Sequence, residues 1–282
     1  MAENTYKTEN AIKDKYFILL ILATAFFYLP VLIDLISAWY HNPNYSHGFL
    51  VAPVAVYLIW KNRQEIGALP VTGSSVGLIV IILAVLLFIF GNGASEAVAM
   101  ALSLVMMICG IILYHFGTEI FKKTWFAVVF LLFMIPVPEM IYLSIVAPIY
   151  LPVAKAATSM LNLIGMPIVF QGDIINLPHQ ALNISEACSG MRSLVALLAM
   201  GTLYAYLSHN RSYGKVLIFI LTVPSAVIAY IIQVSIVLVV IYTSDGLTAA
   251  DEPLHSIMNT LLFAVTFLIL LIFGAVLRRA FR

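Results

Sequence analysis

From Val76 to Phe90 no side chain carries a charge or a hydrogen-bonding group. In lipid every backbone N–H and C=O must find its partner inside the protein, so a stretch of this kind is a membrane helix or the buried centre of a large domain. The chain settles which. Comparable runs recur along its length, and a helix needs roughly 20 apolar residues to cross the hydrocarbon. Hydrophobic residues make up 63% of the 282 residues and charged ones only 10%. No polar stretch is long enough to build a soluble core, and a net charge of +1 gives no electrostatic case for a nucleic-acid partner.

The sequence therefore predicts an all-α integral membrane protein. A polar tail over 1–15 precedes one polytopic membrane domain over 16–282. Spans are expected at about 16–38, 48–61, 75–92, 96–116, 122–137, 188–208, 214–243 and 254–278. The first apolar run is too long for the core of a signal peptide and reads as a retained span. With eight spans and a cytoplasmic N-terminus, twelve of the fourteen Lys and Arg fall on the inner side, Lys155 and Arg192 excepted. Both termini are then cytoplasmic. Residues 138–166 contain Pro138, Pro148 and Pro152, so an interfacial or re-entrant helical segment on the outer side is expected there and not one straight span, with an inserted helical hairpin as the alternative. Residues 168–184 read as a short β-hairpin leading into the sixth span.

That span opens with "SEACSGMRSL", residues 185–194. Ser185 suits a helix N-cap, with Glu186 in the turn that follows. Cys188 would stand where unpaired backbone N–H groups favour a thiolate. Arg192 follows at i+4 on the same face, and Gly190 leaves room beside the sulfur. The competing reading is a buried free cysteine beside an arginine reaching for the interface. His255, in "DEPLHSIMN" at the start of the eighth span, is a candidate proton carrier, with Asp251 four residues back to orient it. An interfacial histidine that touches nothing is an equal alternative. Gln233 is the polar side chain deep in the seventh span, in "AYIIQVSIV". It either meets a substrate carbonyl or ties two helices together. Tyr45, Ser46 and His47, at the entry to the second span, line the same cavity or belong to an interfacial aromatic belt. No His, Cys, Asp or Glu pair has metal-ligand spacing, and neither a metal nor a cofactor is expected.

"NYSHGFLVAPVAVYLIW" at 44–60, "EACSGMRSL" at 186–194 and the late histidine resemble the exosortase/archaeosortase family, closer to the bacterial branch. The Cys-Ser-Gly-x-Arg-Ser piece, which includes Ser189, is the specific part. The resemblance implies a cysteine protease or transpeptidase of the bacterial inner membrane, its site facing the periplasm. It would cut C-terminal anchor signals of the PEP-CTERM type through a Cys188 thioester, with His255 as acid and base. The partners implied are the substrate's anchor helix, membrane lipids, and water or an envelope amine as acceptor. Gln233 stands where the family carries arginine, and Tyr230 where it carries asparagine. The departure leaves three alternatives: Arg192 takes over the charge, the chain is weakly active or silent, or the residue is engineered. The rival class is a membrane transporter or lipid-binding protein, in which Gln233, Arg192 and His255 line a permeation or headgroup site.

Overall fold

The computed structural model describes residues 17–42, 45–172, 174–178, 181–183, 194–208, 212–243 and 252–280. Within them the chain is mostly helical and divides into two compact units, Met1–Val137 and Pro138–Arg282. Among the described residues three helices are long and apolar enough to cross a membrane, or four if a bent pair is one span and not a re-entrant loop. Gly48–Lys61, Leu194–Ser208 and Thr260–Val276 are shorter apolar helices, so the expectation of eight full-length spans is met in part.

The bent pair opens the first unit. α1 (Phe17–Phe27) and α2 (Leu29–His41) meet at 53° where one straight span over 16–38 was expected. Pro30 has no N–H to bond back into the preceding turn, which loosens the helix there. Tyr28 locks the bend: it is buried, and its hydroxyl donates to Ser103 Oγ at 3.1 Å. α3 (Gly48–Lys61) and the short α4 (Arg63–Gly67) lead to α5 (Ser75–Ala94) and α6 (Ala97–Phe116). α5 is apolar all round, but its small residues Gly77, Ala84 and Gly91 repeat every seven and are buried. A Cβ on Gly77 would overlap the Tyr114 backbone, and one on Gly110 would lie 2.7 Å from Ile81 Cγ1. Apart from a hydrogen bond at the cap, from Ser74 N–H to the Leu113 carbonyl at 3.1 Å, the two spans thus pack backbone to backbone, which is how helices associate in lipid. α7 (Thr118–Phe130) runs into a 3-10 turn at Leu131–Met134, which ends the expected fifth span early.

The second unit begins with α8 (Glu139–Leu163), one continuous helix through Pro148 and Pro152. The prolines do not interrupt the helix, and Glu139–Leu163 is not among the helices long and apolar enough to cross a membrane, so the expectation of something other than a straight span is not contradicted. The two prolines lie four residues apart on the exposed side. The opposite stripe, Val146, Val153, Ala154, Ala157 and Leu161, is buried in the unit's core. An interior proline costs about 3 kcal/mol, and burial of that stripe offsets it. From the last turn of α8 the Asn162 side chain clasps Ile168, accepting from its N–H at 3.0 Å and donating to its carbonyl at 2.9 Å. The chain then forms β1 (Val169–Gln171), β2 (Ile174–Asn176) and β3 (Ala181–Asn183). They make an antiparallel sheet in the order β1-β2-β3, one strand more than the expected hairpin. Ile175 and Leu182 face each other in it and join the core.

α9 (Leu194–Ser208), α10 (Ser212–Thr243) and α11 (Glu252–Ala280) complete the unit. α10 is the hub, packing against α8, α9 and α11. Its buried stripe is Ala226, Ala229, Tyr230, Val234, Val237, Leu238 and Ile241, spaced at three and four as one helical face requires.

Candidate functional site

Gln233 falls on that stripe. Its side chain is 5% exposed, and Oε1 has no hydrogen-bond partner. A buried, unpaired polar atom costs about 1–3 kcal/mol and calls for a specific explanation. Among the described residues no neighbouring helix supplies a partner for this oxygen. Rotating the amide half a turn exchanges an acceptor for a donor, so this position can meet either an N–H or a developing oxyanion.

The heights of the three helices can be read across close contacts. A Cβ on Gly201 of α9 would overlap the Thr222 side chain of α10, and one on Gly274 of α11 would overlap the Tyr204 hydroxyl of α9. The Tyr204 and Phe267 rings lie 6.1 Å apart. The links between the helices are short against the helices' length, so neighbours run antiparallel. At 1.5 Å per residue, Gln233 stands about 16 Å from the level of Gly201 toward the C-terminal end of α10. The backbone of His255 falls about 13–24 Å from that level in the same direction, a range that brackets Gln233. Leu194, where α9 begins, lies about 10 Å from it, again in the same direction. The start of α9, the start of α11 and Gln233 therefore share one end of the helical bundle.

Other predicted residues lie elsewhere. Glu186, Cys188, Ser189, Gly190, Arg192 and Asp251 lie outside the described residues, and only the helical backbone of His255 is described. The chain on either side of the cysteine motif is firmly placed, since Leu182 and Leu194 both belong to the core that holds Tyr230 and Val234.

In the first unit the Tyr45 hydroxyl donates to the Val137 carbonyl at 2.9 Å. His47 Nε2 bonds the Phe133 carbonyl at 3.0 Å, so Nε2 carries the proton. Trp39 Nε1 donates to the Met134 carbonyl at 2.9 Å. Gly48 makes room for that indole, since a Cβ there would overlap it. Together the three side chains secure the backbone around the 3-10 turn. These bonds give Tyr45 and His47 a definite structural task, while Ser46 is exposed. Trp39 escaped the sequence reading because its partner is a main-chain carbonyl 95 residues away, which no local pattern encodes.

Asp34 was also passed over, although its signal was plain: an acid within "LPVLIDLISAWY". Ionisable residues in apolar spans mark functional positions by default.

No curated protein and no solved structure matches the chain. The family model described as transmembrane exosortase (Exosortase_EpsH) matches residues 39–272. That match covers most of both compact units, and the chain belongs to the transmembrane exosortase family.

Proposed function

We propose that this protein is a membrane cysteine peptidase or transpeptidase that removes C-terminal anchor signals, of the PEP-CTERM type, from proteins bound for the cell surface. On this reading it sits in the bacterial inner membrane with its site toward the periplasm. The observation that carries the reading is the unpartnered Gln233 Oε1, buried at the end of the bundle where α9 and α11 begin. Cys188 is six residues from both Leu182 and Leu194, so covalent reach keeps it within about 20 Å of each buried anchor.

In the reaction the Cys188 thiolate adds to the scissile carbonyl. The C–N bond breaks as His255 passes a proton to the leaving amine, and an acyl thioester remains on the sulfur. Water or an envelope amine then takes the acyl group, and the thiol is restored. Gln233 donates to the oxyanion in both steps, and Arg192 supplies the charge that the neutral amide lacks. A weakly active enzyme is the second reading, favoured by that amide in the family's arginine position.

Co-expression with a tagged protein bearing such an anchor tests the proposal. A truncated product and a Cys188-linked intermediate are expected, both absent from the Cys188→Ala chain. An intact substrate in the presence of the unaltered and the Gln233→Arg chains would overturn it. If only Gln233→Arg yields product, the second reading holds. Processing that survives Cys188→Ala would overturn Cys188 as the nucleophile.

A further inference from the structure

At the end of the second unit opposite Gln233, α9, α10 and α11 present cations without acids. α9 and α10 contain no Asp or Glu, and α11 has none after Glu252, which lies at its other end. Lys215, in the first turn of α10, is half-buried, with its Nζ 4.5 Å from the centre of the Tyr206 ring on α9. Arg279, in the last turn of α11, is exposed. Among the described residues neither has an acidic partner. In the first unit, by contrast, Lys122 and Lys123 pair with Glu119 and Glu65 at 2.7 and 2.6 Å.

The contacts that give the height of Gln233 also give the height of these cations. Lys215 precedes Thr222 by as many residues as Ser208 follows Gly201, so both lie about 10 Å from that contact in one direction. α9 and α11 each run antiparallel to α10 and so parallel to each other. Arg279 lies about 8 Å beyond Gly274, and Ser208 about 6 Å beyond Tyr204, whose hydroxyl a Cβ on Gly274 would meet. Lys215 and Arg279 thus share a level to within the length of their own stems. From Lys215 to the end of α10 at Thr243 is about 42 Å, the thickness of a bilayer with its headgroups. About one turn deeper than the cations, Phe219 and Val276 are apolar and exposed.

We propose that Lys215 and Arg279 hold the headgroup of an anionic phospholipid, with its phosphate engaging both cations. Charge complementarity selects the occupant. The Tyr206 ring takes water from one side of the Lys215 ammonium and leaves another side open, which strengthens its attraction for an anion. A zwitterionic headgroup brings an amine that opposes the two cations, whereas a net negative one does not. Free phosphate offers the same oxygens but has no acyl chains to lie against Phe219 and Val276. This site does not rest on the function proposed above.

The test uses the full chain in phosphatidylcholine vesicles with a trace of phosphatidylglycerol that carries a photoreactive group high on one acyl chain. The control probe is phosphatidylcholine with the same group. The phosphatidylglycerol probe is expected to label the start of α10 and the end of α11 about tenfold more than the control. Lys215→Gln should lower that preference about threefold, and the chain with both Lys215→Gln and Arg279→Gln should lose it. Lys215→Arg, which keeps the charge, should retain it. Lys122→Gln should leave it unchanged, because that cation is balanced by its own acid. Equal labelling by the two probes, indifference to the double change or loss with Lys215→Arg would overturn the proposal. So would an equal loss with Lys122→Gln, which would make the preference an effect of net charge. Displacement of the lipid by inorganic phosphate at constant ionic strength would also overturn it, by making a free anion the occupant.

Discussion

The two units treat buried polar groups differently. In the first, Tyr28 bonds Ser103, Trp39 bonds Met134, and Tyr45 and His47 hold the carbonyls of Val137 and Phe133. In the second, Gln233, Tyr204, Ser208 and Thr266 each bury a side-chain polar atom that has no partner among the described residues. All four such atoms lie beyond Pro138. A scaffold uses its polar side chains to fix its own backbone, whereas a site keeps some for a molecule that arrives later. The second unit also has satisfied side chains, such as Asn162 on Ile168, so among these four atoms the one the proposed function draws on is that of Gln233.

The hardest blow to that division is also the largest expected effect. Cys188→Ala and His255→Ala should each lower processing by about a thousandfold or more, with the protein still eluting as the unaltered chain does. Gln233→Leu should lower processing by about 10²–10³ while leaving thermal stability unchanged or slightly higher, because an orphaned amide is removed. Gln233→Leu that melts early would make the residue structural and erase the contrast. In the first unit the pattern reverses. Gly77→Leu drives a side chain into the Tyr114 backbone and should lower stability by about 1–3 kcal/mol in detergent melts. Tyr28→Phe should cost about 1 kcal/mol and leave the rate of processing by folded protein untouched.

The smallest effect belongs to the exposed pair Lys123–Glu65, at 2.6 Å. Lys123 holds the Glu65 carboxyl below the usual carboxylate range, by hydrogen bond first and charge second. A depressed folded value means the contribution is present above the ordinary glutamate range and lost as pH falls through the lowered one. Melts across that range should therefore show only a slight difference between Glu65→Gln and the unaltered chain, and it should vanish in high salt.

Much of this was legible because lipid imposes a simple rule. Ser75–Ala94 and Ala97–Phe116 emerge within two residues of their expected limits, since an uninterrupted apolar run has no alternative to a helix. The continuity of the helix Glu139–Leu163 was not legible because proline is a local signal, while what holds that helix is a buried stripe on its far face. Gln233 stood out as a lone amide among aliphatic residues, but its missing partner is a fact of three-dimensional packing. Tyr45 and His47 were picked out by residue type, and their partners, 92 and 86 residues away, were beyond any spacing rule.

The claim beneath all of this is that Cys188 and His255 face one another at the end of the second unit that holds Gln233. A chain with Cys109→Ala and His255→Cys, treated in membranes with a short bifunctional thiol reagent, tests it directly. Joining of Cys188 to the thiol introduced at position 255, read as an internal crosslink by mass spectrometry, is the expected result. Two singly modified thiols with no crosslink, while a Gly201→Cys and Thr222→Cys pair in a Cys109→Ala, Cys188→Ala chain joins readily, would contradict it.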